Sequence, residues 1–190
     1  MTLNISLTLT ITWAIVVLVW LAGSLHSKRT VQAQSAPSRL AHQLLVLIGY
    51  CLLAFNRFDV GWLAVRFVPG AHVWRAAGLV AAMLGAFIAI WARITLGANW
   101  SGRVTLKEHH TLIATGPYAL VRHPIYSGLL LAIAGTAIVE GKLRCLLGFA
   151  FVLCAYGLKM RQEERLMMQT FPGDYPNYRR RVKALIPGLL

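Results

Sequence analysis

Acidic side chains are nearly missing from this chain: it has six Asp and Glu against 19 Lys and Arg in 190 residues. Charged residues together make up 13%, about half of what a soluble domain needs to cover its surface. That scarcity excludes an ordinary water-soluble globule, and an apolar content of 57% points to lipid as the solvent. Cysteine is sparse as well. Cys51, Cys145 and Cys154 are odd in number, far apart and set inside apolar runs, which excludes a disulfide framework and metal-ligand spacing. His109-His110 has no third and fourth ligand at a sensible spacing, so no metal is expected. No Gly-x-Gly-x-x-Gly string occurs, which excludes a soluble-type dinucleotide loop.

What the chain does contain is five apolar runs, at residues 6–25, 40–55, 74–96, 125–139 and 145–158. The first is long enough to cross a hydrocarbon core of about 30 Å. It is read as a retained helix and not as a signal peptide, because no Lys or Arg precedes it. The third carries Gly78, Ala82 and Ala86, a stripe of small residues that lets membrane helices approach closely. The fourth and fifth are short and flank the charged turn Glu140-Gly141-Lys142-Leu143-Arg144, so residues 125–158 read as a helical hairpin. The expected fold is all-α and polytopic, with five transmembrane helices and a cytoplasmic C-terminal helical tail. It forms a single membrane domain over residues 1–190, in which 1–96 holds the first three spans and 97–190 the cytoplasm-facing catalytic half.

Five crossings divide the loops into two sets, and basic residues mark the cytoplasmic one. One side receives 14 of the 19 basic residues, including Lys159, Arg161, Arg165, Arg179, Arg180, Arg181 and Lys183. The N-terminus is therefore expected outside, with the C-terminus and the active site in the cytoplasm. Topology and anionic lipid account for the net charge of +13, and nucleic acid is not needed. The patterns Asn4-Ile5-Ser6 and Asn99-Trp100-Ser101 match a glycosylation acceptor, but one abuts a span and the other is expected in the cytoplasm.

Two cytoplasmic segments are too long to be simple connections: residues 97–123, and the tail from 159 to 190. The first ends in Gly116-Pro117-Tyr118-Ala119-Leu120-Val121-Arg122-His123-Pro124-Ile125-Tyr126-Ser127-Gly128. Pro124 suits the first position of a helix, where its missing N–H costs nothing, and that helix N-terminus aims free N–H groups at the segment junction. His123 and Tyr126 can project there together, although a basic anchor and an interfacial tyrosine account for each residue taken alone. The second segment opens with Lys159-Met160-Arg161-Gln162-Glu163-Glu164-Arg165, which places two of the six acids side by side. Neighbours on a helix diverge by about 100°, so one glutamate is expected to face the junction and the other water. Lys159, four residues before Glu163, can pair with it.

Taken together, the Gly-x-Tyr-x-x-x-Arg-His-Pro-x-Tyr string, Glu163-Glu164 some 40 residues after His123, and the following Phe171, Tyr175 and Tyr178 resemble the isoprenylcysteine carboxyl methyltransferase family. That family lies within a wider group that includes phospholipid N-methyltransferases. The resemblance spans residues 97–187 and includes Gly97-Ala98-Asn99-Trp100-Ser101. It implies S-adenosyl-L-methionine as methyl donor, in a cytosol-facing pocket closed by the C-terminal tail, with a lipophilic or lipidated acceptor entering from the bilayer. Carried over by position, it implies cofactor contacts from His110, Thr111, Leu112, Ile113, Tyr118, His123, Pro124, Ile125, Tyr126 and Glu163. The family usually has Arg where this chain has Lys159, a position implied to touch the acceptor, and Lys lacks the bidentate fork of Arg. Other acceptors remain open, namely a phospholipid amine or a thiol. So do a sterol-type reductase using NADPH, which carries a similar Arg-His-x-x-Tyr-x-Gly string, and a non-enzymatic membrane partner.

Overall fold

The structure is a computed structural model that describes residues 4–24, 30–33, 36–97, 105–107 and 112–189. Its main elements are α1 (Ile5–Ser24), β1 (Thr30–Ala33), α2 (Ala36–Ala54), α3 (His72–Leu96), β2 (Thr105–Lys107), α4 (Pro124–Glu140), α5 (Leu143–Thr170) and α6 (Asp174–Arg181). Single 3-10 turns at Asn56–Phe58, Gly61–Ala64 and Gly116–Ala119 join them. Each of the five apolar runs is a helix. Among the described residues the chain departs from an all-helical fold in a short ribbon in which β1 pairs antiparallel with β2. β1 lies in the connection between α1 and α2, and β2 in the segment after α3, where hydrophobic periodicity carries no strand signal.

Three helices, α1, α3 and α5, are long and apolar enough to cross a membrane, while Leu40–Ala54 and α4 are shorter apolar helices. Their outer faces are covered with exposed apolar side chains such as Leu18, Leu47, Val80 and Phe87. Water disfavours such a surface and hydrocarbon accepts it.

Because lipid offers no hydrophobic drive for helix association, close packing must hold the bundle. The small-residue stripe of α3 meets a second stripe on α4. A Cβ added at Gly85 would lie 2.3 Å from the Ala132 backbone nitrogen, and one at Gly135 would lie 2.4 Å from that of Ala82. Backbone therefore touches backbone along this seam. α2 closes on α5 in the same way, Gly49 against Gly148, and Trp13 of α1 donates its indole N–H to the Thr136 hydroxyl of α4 at 3.0 Å.

α4 and α5 form the expected hairpin. Gly141 takes a left-handed φ of 70°, a conformation open to glycine without steric cost, and its N–H closes the helix onto Ala137. With 28 residues, α5 is roughly 42 Å long at 1.5 Å per residue, well beyond a hydrocarbon core of about 30 Å. The excess carries residues 159–170 alongside the N-terminus of α4. This length is what positions the site.

Candidate active site at the junction of α4, α5 and the C-terminal tail

Pro124 opens α4, and His123 stands before it as the capping residue without a side-chain cap bond. The first-turn N–H groups thus receive nothing from His123 and remain available to an anionic group. The His123 ring stacks on Tyr126 with centroids 5.7 Å apart, and Tyr126 leans on Tyr156 of α5 at 4.9 Å. Tyr126 is buried; it is not an interfacial residue.

Both glutamates of α5 turn toward this ladder. Tyr126 donates its hydroxyl to Glu163 at 2.6 Å, and the second Glu163 oxygen lies 3.7 Å from His123 Nδ1. Glu164 accepts from Arg122 through Nε at 2.9 Å and Nη2 at 2.6 Å. It also accepts from His123 Nε2 at 3.2 Å; a carboxylate only accepts, so Nε2 carries its proton. Arg179 approaches Glu164 from α6 at 3.4 Å. The expectation that one glutamate faces water is thus corrected. The side chains are 25% and 16% exposed, because the Arg122-His123 corner and Tyr126 lie on both sides of the line where α5 meets α4. The Lys159 ammonium sits over the Tyr126 ring, 5.6 Å from its centroid, a cation–π distance.

The tail completes the enclosure. Arg122 and His123 donate their backbone N–H groups to Lys183 and Ala184 at 2.7 and 3.0 Å, and the Ser127 hydroxyl donates to Leu185 at 2.6 Å. Arg122 also donates to the Val182 carbonyl. The Tyr178 hydroxyl donates to the Tyr118 carbonyl at 2.6 Å. Burial pushes that phenol up to about 12 against the influence of Arg122, so it keeps the donating proton.

Of the residues expected at the site, Tyr118, His123, Pro124, Ile125, Tyr126, Lys159 and Glu163 are gathered at this junction. Ile113 packs against the same apolar cluster as Tyr118 and Tyr126. Leu112 is half-buried just before it. His110 and Thr111 lie outside the described residues. Arg122, Tyr156, Tyr178 and Glu164 belong to the arrangement too, although the sequence marks Arg122 only as a basic helix anchor and gives Tyr156 no signal.

Comparison with known proteins gives the family. Residues 77–169 match the model of the isoprenylcysteine carboxyl methyltransferase (ICMT) family. A probable protein-S-isoprenylcysteine O-methyltransferase of rice is 30% identical over 173 residues, covering 88% of this chain and 86% of the relative. The chain belongs to the ICMT family. Protein-S-isoprenylcysteine O-methyltransferase B of Arabidopsis thaliana is 32% identical over 129 residues, 65% of this chain and 66% of that one. The cobalt-zinc-cadmium resistance protein CzcN of Cupriavidus metallidurans is 35% identical over 113 residues, 58% of this chain and 50% of the relative. A solved eukaryotic intramembrane Ras methyltransferase, ICMT, shares the fold with a TM-score of 0.58 at 22% identity, over 82% of this chain and 54% of that one. The chain is thus a member of a family of integral membrane methyltransferases.

At this junction Glu164 acts as a latch, and its charge sets a pH dependence. Burial opposes ionisation, but hydrogen bonds from His123 and Arg122 and their positive charge outweigh it and hold the carboxyl at about 2 against an ordinary 4.5. A depressed carboxylate pKa stabilises the folded arrangement in full above the ordinary value, and that contribution is lost as pH falls through the folded one. The protection factors of the Arg122 and His123 amides, which donate to the tail carbonyls, are expected to be high at pH 5 in detergent and to fall between about pH 4.5 and 2. Glu164→Gln should remove that step; an unchanged profile in the variant would show that another group holds the tail.

Proposed function

We propose that this chain is an S-adenosyl-L-methionine-dependent carboxyl methyltransferase of isoprenylcysteine or a close analogue. In this reading it crosses the membrane five times, with the N-terminus outside and the junction of α4, α5 and tail in the cytoplasm. Residues 97–190 are the catalytic half. The observation that carries the proposal is the convergence of Tyr126, His123 and Glu163 at one corner, with an acid, an uncapped helix N-terminus and aromatic faces within one small volume.

Those residues suit the donor's chemistry. Glu163 is a carboxylate for an ammonium group. The first-turn N–H groups at Ile125 and Tyr126 suit a carboxylate. Tyr118 and Ile113 supply the apolar floor, and the family resemblance implies His110, Thr111 and Leu112 as further donor contacts. When bound, the donor supplies an electrophilic methyl group. The chain's own residues orient the acceptor, hold its carboxylate and exclude water. A carboxylate nucleophile needs no base, and since charge is lost toward the transition state, a dry site favours transfer. Lys159, beside Tyr126, is the residue for the acceptor carboxylate, and the exposed apolar faces of the bundle admit a lipid tail directly from the bilayer.

The test is transfer of a labelled methyl group in detergent to N-acetyl-S-prenylcysteine, phosphatidylethanolamine and a lipophilic thiol. Base-labile label on the prenylcysteine supports the proposal. Label on the amine or thiol alone moves the chain to another acceptor class, and no transfer at all contradicts the enzyme reading. Lys159→Ala is expected to raise KM for the prenylcysteine roughly tenfold, as loss of one charged hydrogen bond does, with little change in donor-analogue affinity. Loss of donor-analogue binding in that variant would place Lys159 on the wrong ligand.

A further inference from the structure

α2 brings to the site a polar ring that the donor reading leaves unused. His42 is half-buried on the face of α2 that meets α5. Its Nδ1 lies 3.1 Å from the Ala155 carbonyl oxygen, and its ring stacks on Tyr156 at 6.4 Å and 28°. The Tyr50 hydroxyl, also on α2, lies 3.4 Å from that of Tyr156. His42 is therefore held by a ring that itself packs on Tyr126. A carbonyl only accepts, so Nδ1 must carry the proton, and the neutral imidazole then presents Nε2 as an acceptor.

The position follows from helix geometry. The carbonyl of residue i points along the axis toward residue i+4, so a ring bonded to Ala155 sits beside the turn that begins at Lys159. It is close enough to interact electrostatically with both Lys159 and Glu163. Lys159 offers a point charge that draws a carboxylate without fixing its orientation. A second contact of different chemistry, one helix away, is what converts attraction into orientation.

We propose that His42 is the residue that reads the amide of the acceptor, its Nε2 accepting the N–H on the carbon that bears the carboxylate held by Lys159. This rests on the prenylcysteine reading and deepens it. It makes the acceptor class an N-acylated S-prenylcysteine, as at a polypeptide C-terminus, in preference to a prenylated acid that lacks the amide. His42 then sets specificity and takes no proton.

The experiment compares kcat/KM for N-acetyl-S-prenylcysteine with that for S-prenyl-3-mercaptopropionate, the same molecule with the acetamido group replaced by hydrogen. Wild type is expected to favour the first by roughly three- to tenfold, the range of one neutral hydrogen bond. His42→Asn keeps a side-chain N–H for Ala155 but has nothing in the place of Nε2, and its ratio should fall to about one. His42→Gln, whose carbonyl oxygen reaches the place of Nε2, should retain most of the preference. S-adenosylhomocysteine binding checks that each variant is folded. A ratio unchanged in His42→Asn overturns the inference, as does an equal loss on both acceptors, which is the mark of a structural role. Turnover of neither acceptor by wild type would instead overturn the prenylcysteine reading beneath it.

Discussion

Arg144→Ala is expected to lower the melting temperature in detergent by on the order of 10 °C, while the protein that remains folded binds donor analogue normally. The guanidinium is fully buried, and all five of its N–H donors are used. Nε meets Asp59 at 2.7 Å, Nη1 meets the Leu52 and Leu53 carbonyls at 2.6 and 2.9 Å, and Nη2 meets Asn56 at 2.7 Å and Glu140 at 2.8 Å. One side chain thereby ties the C-terminus of α2 and the loop after it to the α4–α5 hairpin. Lys142 adds a second ion pair to Asp59. Backbone bonds from Phe67 to Gly141 and from Leu143 to Val65 close the same corner. Removing one partner of a buried ionic cluster strands the others and costs about 3–5 kcal/mol. Arg144→Lys should recover only part of the loss, because an ammonium has three donors and no planar fork. Fluorescence-detected size-exclusion chromatography after heating would read both variants. A melting curve indistinguishable from wild type for Arg144→Ala would mean that the corner is held by something else.

Glu163→Gln is expected to weaken binding of S-adenosylhomocysteine roughly ten- to a hundredfold, the scale of one charged hydrogen bond, while leaving the melting temperature nearly unchanged. The reasoning turns on what glutamine keeps. Its carbonyl oxygen still accepts from Tyr126, so the contact between α4 and α5 survives, and only the negative charge offered to an ammonium group is lost. Glu164→Gln should show the opposite pattern. That carboxylate holds Arg122, His123 and Arg179, so its loss loosens the tail more than it changes the donor contact. Isothermal titration and thermal melting on both variants give four numbers. Equal effects on affinity from the two glutamates would show that the assignment of α5 faces is mistaken.

Much of this architecture was legible because lipid constrains a sequence so strongly. The runs at 6–25, 74–96 and 125–139 fall within a few residues of α1, α3 and α4, since only a helix satisfies backbone groups in hydrocarbon. The small stripe on α3 pointed to close packing, and Gly128 and Gly135 of α4 are its counterpart. The meeting of the His-Pro corner with the paired glutamates followed from connectivity, because α4 and α5 are a hairpin and α5 is the longer of the two. What the sequence concealed depends on pairing across distance. Arg144 reads as one more charge in a turn, yet it is the largest fully buried side chain among the described residues. Arg93 stands near the end of the third apolar run, yet it is buried in a notch where a side chain on Gly23 would collide with it. The strand-like run of Lys183 and Ala184 beside Arg122 and His123 has no local signal, since neither partner alternates. His42, Tyr50 and Tyr156 look like isolated polar residues in apolar helices until α2 and α5 are packed together.

The most direct measurement is calorimetric titration of the detergent-solubilised chain with S-adenosylhomocysteine and, separately, with NADPH. Saturable one-to-one binding of the first, abolished or sharply weakened in Glu163→Gln and absent for the second, is the predicted result. Binding of NADPH with no response to S-adenosylhomocysteine would contradict the donor site between α4, α5 and the tail.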